Sequence, residues 1–147
     1  DTYLFNKGDG ADAIHDNLAN LLSGTEDTLV FGEGILPSDI IVERAGPGLN
    51  DAVLKIRGTN DSVRIEGEFF YSTINFQPDR IEIIRFADGK AWTPQNLRDV
   101  YFAQRQTAGN DIIEGFETDD LITGGAGNDL LRGGDGSDTY RFASGFG

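Results

Sequence analysis

Between residues 27 and 89 the chain alternates apolar and polar positions in short runs. The runs are DTLVF (27–31), DIIVERA (39–45), DAVLKIRG (51–58), SVRIEG (62–67) and RIEIIRFADG (80–89), each closed by turn residues. A period of two puts one set of side chains toward a core and the other toward solvent, so these runs predict half-buried antiparallel strands. Asp88-Gly89, between IIRF and KAW, predicts a hairpin closed by a type I′ turn, which needs positive φ at both central residues. Past the hairpin the spacing is helical. Thr93 can cap, Pro94 suits the first position, and Leu97, Val100 and Tyr101 share a face, which predicts a short helix near 94–104. Residues 16–26, with Asn20, Ser23 and Gly24, read as a loop with at most one helical turn.

The carboxyl-terminal segment follows a different rule. Written in rows of nine it reads QTAGNDIIE (106–114), GFETDDLIT (115–123), GGAGNDLLR (124–132) and GGDGSDTYR (133–141), without gaps. The sixth position is always aspartate (Asp111, Asp120, Asp129, Asp138), and the eighth is Ile113, Ile122, Leu131 or Tyr140. KGDGADAIH (7–15) is one more such row, with Asp12 sixth and Ile14 eighth. A longer repeat joins DTYLFNKGDG (1–10) to DTYRFASGFG (138–147), so the chain reads as slightly more than one unit of a tandem array, cut from a longer protein.

A three-residue strand carrying one inward apolar side chain, followed by a six-residue glycine-rich turn, winds a chain into a flattened coil with two rows per winding. Residues eighteen apart then stack at about 4.8 Å, the ordinary interstrand spacing. Asp111 lies over Asp129 on one edge and Asp120 over Asp138 on the other. Stacked carboxylates repel by about 1 kcal/mol per pair in water, and by more where solvent is excluded. A positive charge must sit between them. Gly124, Gly125, Gly127, Gly133, Gly134 and Gly136 allow positive φ and can turn carbonyl oxygens toward a common point. Carbonyls with carboxylates, and no cysteine or histidine in reach, make a hard oxygen cage that suits Ca²⁺ better than Mg²⁺, zinc or copper. The EF-hand pattern with its closing glutamate is absent.

The bulk numbers agree with a cation as partner. The formal charge is −13, from 25 acidic and 12 basic residues, which argues against nucleic acid or an anionic membrane. With 147 residues, 38% of them apolar, the chain can build one or two small domains with a modest core. There is no cysteine, so no disulfide or thiolate site can staple the fold. No run of about 18 apolar residues exists to span a membrane, and any secretion signal would lie outside this stretch.

Rows 124–141 resemble the RTX (repeats-in-toxin) nonapeptide GGxGxDxUx, whose family fold is a calcium-bound parallel β-roll. The resemblance implies that two stacked turns share each ion, through position-six aspartates and backbone carbonyls from positions one to four. One site would then use Asp111 and Asp129 with carbonyls near Ala108, Gly125 and Gly127. The other would use Asp120 and Asp138 with carbonyls near Glu117, Gly134 and Gly136. Asp12 and the 124–129 turn, with Gly124 and Ala126, would also contribute to sites completed by turns outside this chain. Row 106–114 lacks the leading glycine pair and row 115–123 has Thr118 at the fourth position, departures that imply weaker or distorted sites. Residues 27–103, with DTLVFGEGI, SDIIVER, SVRIEGEFF, RIEIIRFADG and KAWTPQNL, resemble the haemolysin-type calcium-binding-protein-related domain, which alternates with such rolls in large secreted bacterial proteins.

The expected fold is all-β: parallel β-roll segments flanking a small antiparallel β domain with one short helix at its carboxyl end. Residues 1–15 would end a preceding roll, 16–105 form the β domain, and 106–147 form the second roll. The expected function is a calcium-binding structural segment of a secreted RTX protein, ordered by Ca²⁺ outside the cell or at its surface, with neighbouring repeat units of the same chain as further partners. Catalysis is not expected. His15 is the sole histidine and has no Ser-His-Asp or Cys-His set around it, while Glu66 and Glu68 read as one solvated face. Asp119-Asp120, adjacent on the chain, would point to opposite faces. The alternative is a carbohydrate-binding or adhesion module gripping a cell-surface glycan through Phe69, Phe70, Tyr71 and Phe76, with Trp92 nearby, although core filling explains those aromatics more simply. A hydrolase whose catalytic domain lies elsewhere would equally leave this segment without turnover.

Overall fold

The computed structural model describes residues 1–15, 26–70 and 80–142. Most of the predicted loop 16–26 and the aromatics Tyr71 and Phe76 lie outside them. The chain forms two compact units, Asp1–Leu97 and Arg98–Gly147. No helix among the described residues is long and apolar enough to cross a membrane.

The first unit contains strands β1 (Thr2–Phe5), β2 (Ala11–Ile14), β3 (Thr28–Phe31), β4 (Ile40–Ala45), β5 (Asp51–Ile56), β6 (Ser62–Ile65), β7 (Ile83–Arg85) and β8 (Ala91–Trp92). They make two four-stranded sheets, ordered β1-β3-β7-β8 and β2-β6-β5-β4. Each alternating run thus becomes a strand, trimmed by a few residues at its ends. The direction of pairing is a correction. Only β4·β5, β5·β6 and β7·β8 are antiparallel, whereas β1·β3, β3·β7 and β2·β6 are parallel. Alternation specifies which face a side chain occupies and is blind to strand direction. DTLVF repeats DTYLF, and Tyr3 pairs with Leu29 as Phe5 pairs with Phe31, so the two similar runs lie side by side in register.

The hairpin between β7 and β8 forms, but not through a type I′ turn. Phe86 N–H donates to the Lys90 carbonyl at 2.9 Å and Gly89 N–H to the Phe86 carbonyl at 3.0 Å. Gly89 has φ of +83° while Asp88 has no positive φ, which describes a three-residue loop with glycine alone in the left-handed region. Asp88 Oδ1 accepts the Lys90 N–H at 3.1 Å and so holds the loop from its own side chain.

Inward residues of the β4–β6 meander, Ile40, Val42, Ala52, Leu54, Ile56, Val63 and Ile65, are all buried. The other sheet buries Leu29, Phe31 and Ile84, and Phe31 stacks on Phe86 at 5.3 Å. Trp92 meets Phe86 edge-on at 4.8 Å, which places it with the core aromatics. Asp51 is one of the buried charges of this unit; it accepts from Arg64 Nε at 2.8 Å and from Gly67 N–H at 2.9 Å.

Helix α1 (Pro94–Arg105) begins where the sequence predicts. Asn96 Oδ1 accepts the Thr93 N–H at 2.9 Å and its hydroxyl at 3.1 Å, so the helix start is held by Asn96 reaching back to Thr93. Leu97 and Tyr101 are buried and Val100 half-buried.

The second unit takes Arg98–Arg105 of the helix and four three-residue strands, β9 (Ile112–Glu114), β10 (Leu121–Thr123), β11 (Leu130–Arg132) and β12 (Thr139–Arg141). β9 pairs with β11 and β10 with β12, both in parallel. Ile113 and Ile122 are fully enclosed and Phe116 is buried against Tyr101 and Phe102, with ring centroids 5.3 and 5.4 Å apart. Burying one such phenylalanine contributes about 2–3 kcal/mol.

Candidate metal centre

Register decides which acids meet. Ile113 pairs with Leu131 and Ile122 with Tyr140, so each row lies beside the row eighteen residues later and the position-six aspartates fall in two columns. Asp129 Oδ1 accepts the backbone N–H of Asp111 at 3.0 Å, and Asp138 Oδ1 accepts that of Asp120 at 3.1 Å. One oxygen of each later carboxylate therefore fastens the preceding turn, while the other is left for the turn it belongs to.

In the first pair of turns that inner oxygen has a protein partner. Asp111 Oδ2 accepts the Thr107 N–H at 2.7 Å, and Asp120 Oδ2 accepts the Phe116 N–H at 2.6 Å. In the next turn it does not. Asp129 Oδ2 is buried and without a hydrogen-bond partner, a state that costs about 1–3 kcal/mol for a neutral acceptor and more for a charged one. An unpartnered buried carboxylate oxygen of this kind is a ligand type that suits a hard cation.

The glycines shape the space around these oxygens. A Cβ on Gly125 would lie 2.5 Å from the Thr107 carbonyl oxygen, and one on Gly127 would lie 2.3 Å from that of Gly109. On the other edge Gly134 faces the Phe116 carbonyl at 2.4 Å and Gly136 the Thr118 carbonyl at 2.7 Å. All four of these glycines have positive φ. Gly124 and Gly133 do not, contrary to the expectation that they too turn carbonyls by left-handed backbone. They are needed for clearance instead: a Cβ there would strike the inner oxygen of Asp129 at 2.3 Å or of Asp138 at 1.7 Å.

The carbonyls aimed at the glycine faces thus belong to Thr107, Gly109, Phe116 and Thr118, which flank Ala108 and Glu117. Ala108, Glu117 and Ala126 sit exposed at the turn tips. Among the described residues no group of three or more His, Cys, Asp or Glu side chains converges on one point. The donors come as carboxylate pairs with carbonyls, a set that fits calcium.

Asp120 is the most enclosed of the position-six aspartates. Burial raises its pKa above the ordinary value, the Phe116 N–H opposes this, Asp138 adds to it and Arg98 counters it.

Asp12 has no such counterpart. It is exposed, and the residue paired with it is Val63, not an acid. Its glycine turn is closed by Asp61, whose carboxylate accepts the Gly8 N–H at 2.9 Å and the Gly10 N–H at 3.2 Å. Sequence reasoning missed Asp61; the TND turn before β6 was its only signal. The position-six hydrogen bond itself recurs in this unit without glycine turns, because Asp27 accepts from the Asp1 amino group and donates its own N–H to Glu82 at 2.6 Å.

The remaining sequence candidates separate. Phe69 is buried and belongs to the core, while Phe70 is exposed. Glu66 and Glu68 do not share a solvated face. Glu68 is buried and accepts the Ile81 N–H at 2.9 Å, and Glu66 meets His15 at 2.8 Å. The chain turns at Gly67, which has φ of +71°, and this breaks the alternation on which that expectation stood.

Residues 107–140 match the RTX calcium-binding nonapeptide repeat (4 copies), and residues 51–96 match the haemolysin-type calcium binding protein related domain. No curated protein matches the chain. The stacked aspartates and the glycine turns lie inside the first match, so over 107–140 the chain is similar to RTX calcium-binding nonapeptide repeats, and over 51–96 to the haemolysin-type calcium-binding related domain.

Proposed function

We propose that residues 106–147 form a parallel β-roll that orders on calcium binding, and that this chain is a structural segment of a large secreted RTX protein. Residues 1–15 end a preceding roll, and 16–105 form the β domain between the two. The observation that carries this is the orphaned Asp129 Oδ2, buried beside a turn where Gly124, Gly125 and Gly127 leave room for nothing larger than hydrogen.

Calcium, when bound, supplies positive charge between the stacked carboxylates. The chain does the rest. Asp129 and Asp138 fasten the turns before them through Oδ1, and the position-two and position-four carbonyls are held toward the glycine faces. These donors converge only in the folded coil, so binding free energy becomes folding free energy. A site at a hundred times its Kd contributes about 2.7 kcal/mol. With free calcium scarce in a cytosol and plentiful outside, the same chain is loosely ordered before export and folded after it. In a chain without cysteine, calcium takes the place of the staple.

The test is a calcium titration of the chain, followed by far-UV circular dichroism and calorimetry, against Asp129→Ala and Asp138→Ala. Wild type should gain order and release heat as calcium is added, and both variants should lose most of that response. Equal order of residues 106–142 in excess chelator would overturn the proposal.

A further inference from the structure

The row of nine that would precede 106–114 is LRDVYFAQR (97–105), and it is helix α1. It has no glycine, and its sixth position is Phe102 where the rows carry aspartate. The 115–123 row, eighteen residues after it, therefore stacks on no glycine turn and shares no ion on that side. Its Asp120 is nonetheless the most buried aspartate of the coil. On the helix side something other than metal has to hold it.

The second position of that helical row is Arg98. Its Nη1 donates to Thr118 Oγ1 at 3.3 Å, and its Cζ stands 5.3 Å from the centre of the Phe116 ring. Thr118 Oγ1 in turn donates to Asp120 Oδ1 at 3.4 Å, and Phe116 N–H donates to Asp120 Oδ2. Thr118 and Phe116, which Arg98 touches, thus also touch the Asp120 carboxylate. Thr118 stands at the fourth position, where the repeat pattern has glycine, and this hydroxyl link is what the departure provides. The other edge is built differently, with the Asp111 turn closed by the N–H and hydroxyl of Thr107.

We propose that the Arg98 guanidinium is the coil's built-in cation, holding the 115–120 turn where a preceding glycine turn would have shared an ion. Arg98 is a positioning residue that acts through Thr118 and Phe116. The inference rests on calcium being the ion shared with the later turns, because only then is a turn with no metal on its helix side a distinct problem. It makes the coil unequal at its two ends: the turn beside the helix holds in the absence of calcium, and the later turns wait for it.

Amide hydrogen exchange of the full chain in excess chelator tests this, comparing wild type, Arg98→Met and Arg98→Lys. Amides 116–121 should exchange about tenfold faster in Arg98→Met, the size of one charge-assisted hydrogen bond. Arg98→Lys should keep most of the protection, and saturating calcium should restore Arg98→Met. Equal exchange of wild type and Arg98→Met in chelator overturns the proposal. So does an Arg98→Lys variant as fast as Arg98→Met, which would leave packing on Phe116 as the whole effect, or a failure of calcium to restore Arg98→Met. If calcium adds no protection to wild type at residues 124–141, the calcium reading falls, while the comparison in chelator still decides the role of Arg98.

Discussion

Replacing Gly127 with alanine puts a methyl group 2.3 Å from the Gly109 carbonyl oxygen and 3.3 Å from the Asn110 nitrogen, at a residue whose φ is +112°. Both neighbours are backbone, so relief means moving a turn. A side chain in that backbone region costs about 1–3 kcal/mol. Forcing an extra methyl into filled space costs about 1–3 kcal/mol more. The two together span about 2–6 kcal/mol, of which about 3 kcal/mol already shifts an apparent calcium affinity by somewhat over a hundredfold. Gly58→Ala is the matched control. Its φ is +78° and a Cβ there meets nothing within 4 Å, so it carries backbone strain of about 1–2 kcal/mol and no clash. Calcium titrations followed by circular dichroism should show the Gly127→Ala midpoint displaced by about two decades and the Gly58→Ala midpoint unmoved. If Gly127→Ala titrates like wild type, the close approach of the two turns plays no part in holding the ion.

Two further outcomes follow from the packing and the acids. Asp51→Asn should destabilise the first unit by about 2 kcal/mol in urea, read by Trp92 fluorescence, because the buried acceptor of Arg64 and Gly67 is weakened while Arg64 stays partly solvated. The loss should be the same with calcium or chelator; a calcium-dependent loss would contradict a purely structural role. Burial raises the Asp120 pKa, so between 3.8 and its raised value the folded coil keeps a proton that the unfolded chain has released. Metal-free stability of the coil should therefore fall as pH rises through that window, and Asp120→Asn should flatten the slope. Parallel pH profiles for the two proteins in chelator would contradict this.

The nonapeptide segment was legible because its signal is local and repeated. Aspartate sixth and an apolar residue eighth recur in four ungapped rows, and the structure pairs residues eighteen apart. The helix was legible from Thr93-Pro94 and the spacing of Leu97 and Tyr101, although the part played by Asn96 in its cap was not. Glu68 shows the limit of pattern alone, since the positive φ of Gly67 turns a strand-like run into a bend that buries the next acid.

What the sequence by itself determined is therefore whatever depends on neighbours within a few residues: strand faces, the helix span, the glycine turns and the hard-oxygen chemistry of their aspartates. Tertiary structure alone decided which strands run parallel, that Asp61 closes the Gly8–Gly10 turn across 51 to 53 residues, and that Asp129 is the aspartate left with an unpaired oxygen. The reason is physical. Side-chain alternation and turn preference are properties of a short backbone segment, whereas strand direction, burial of a charge and the partner of a carboxylate depend on which distant segments the folded chain brings alongside.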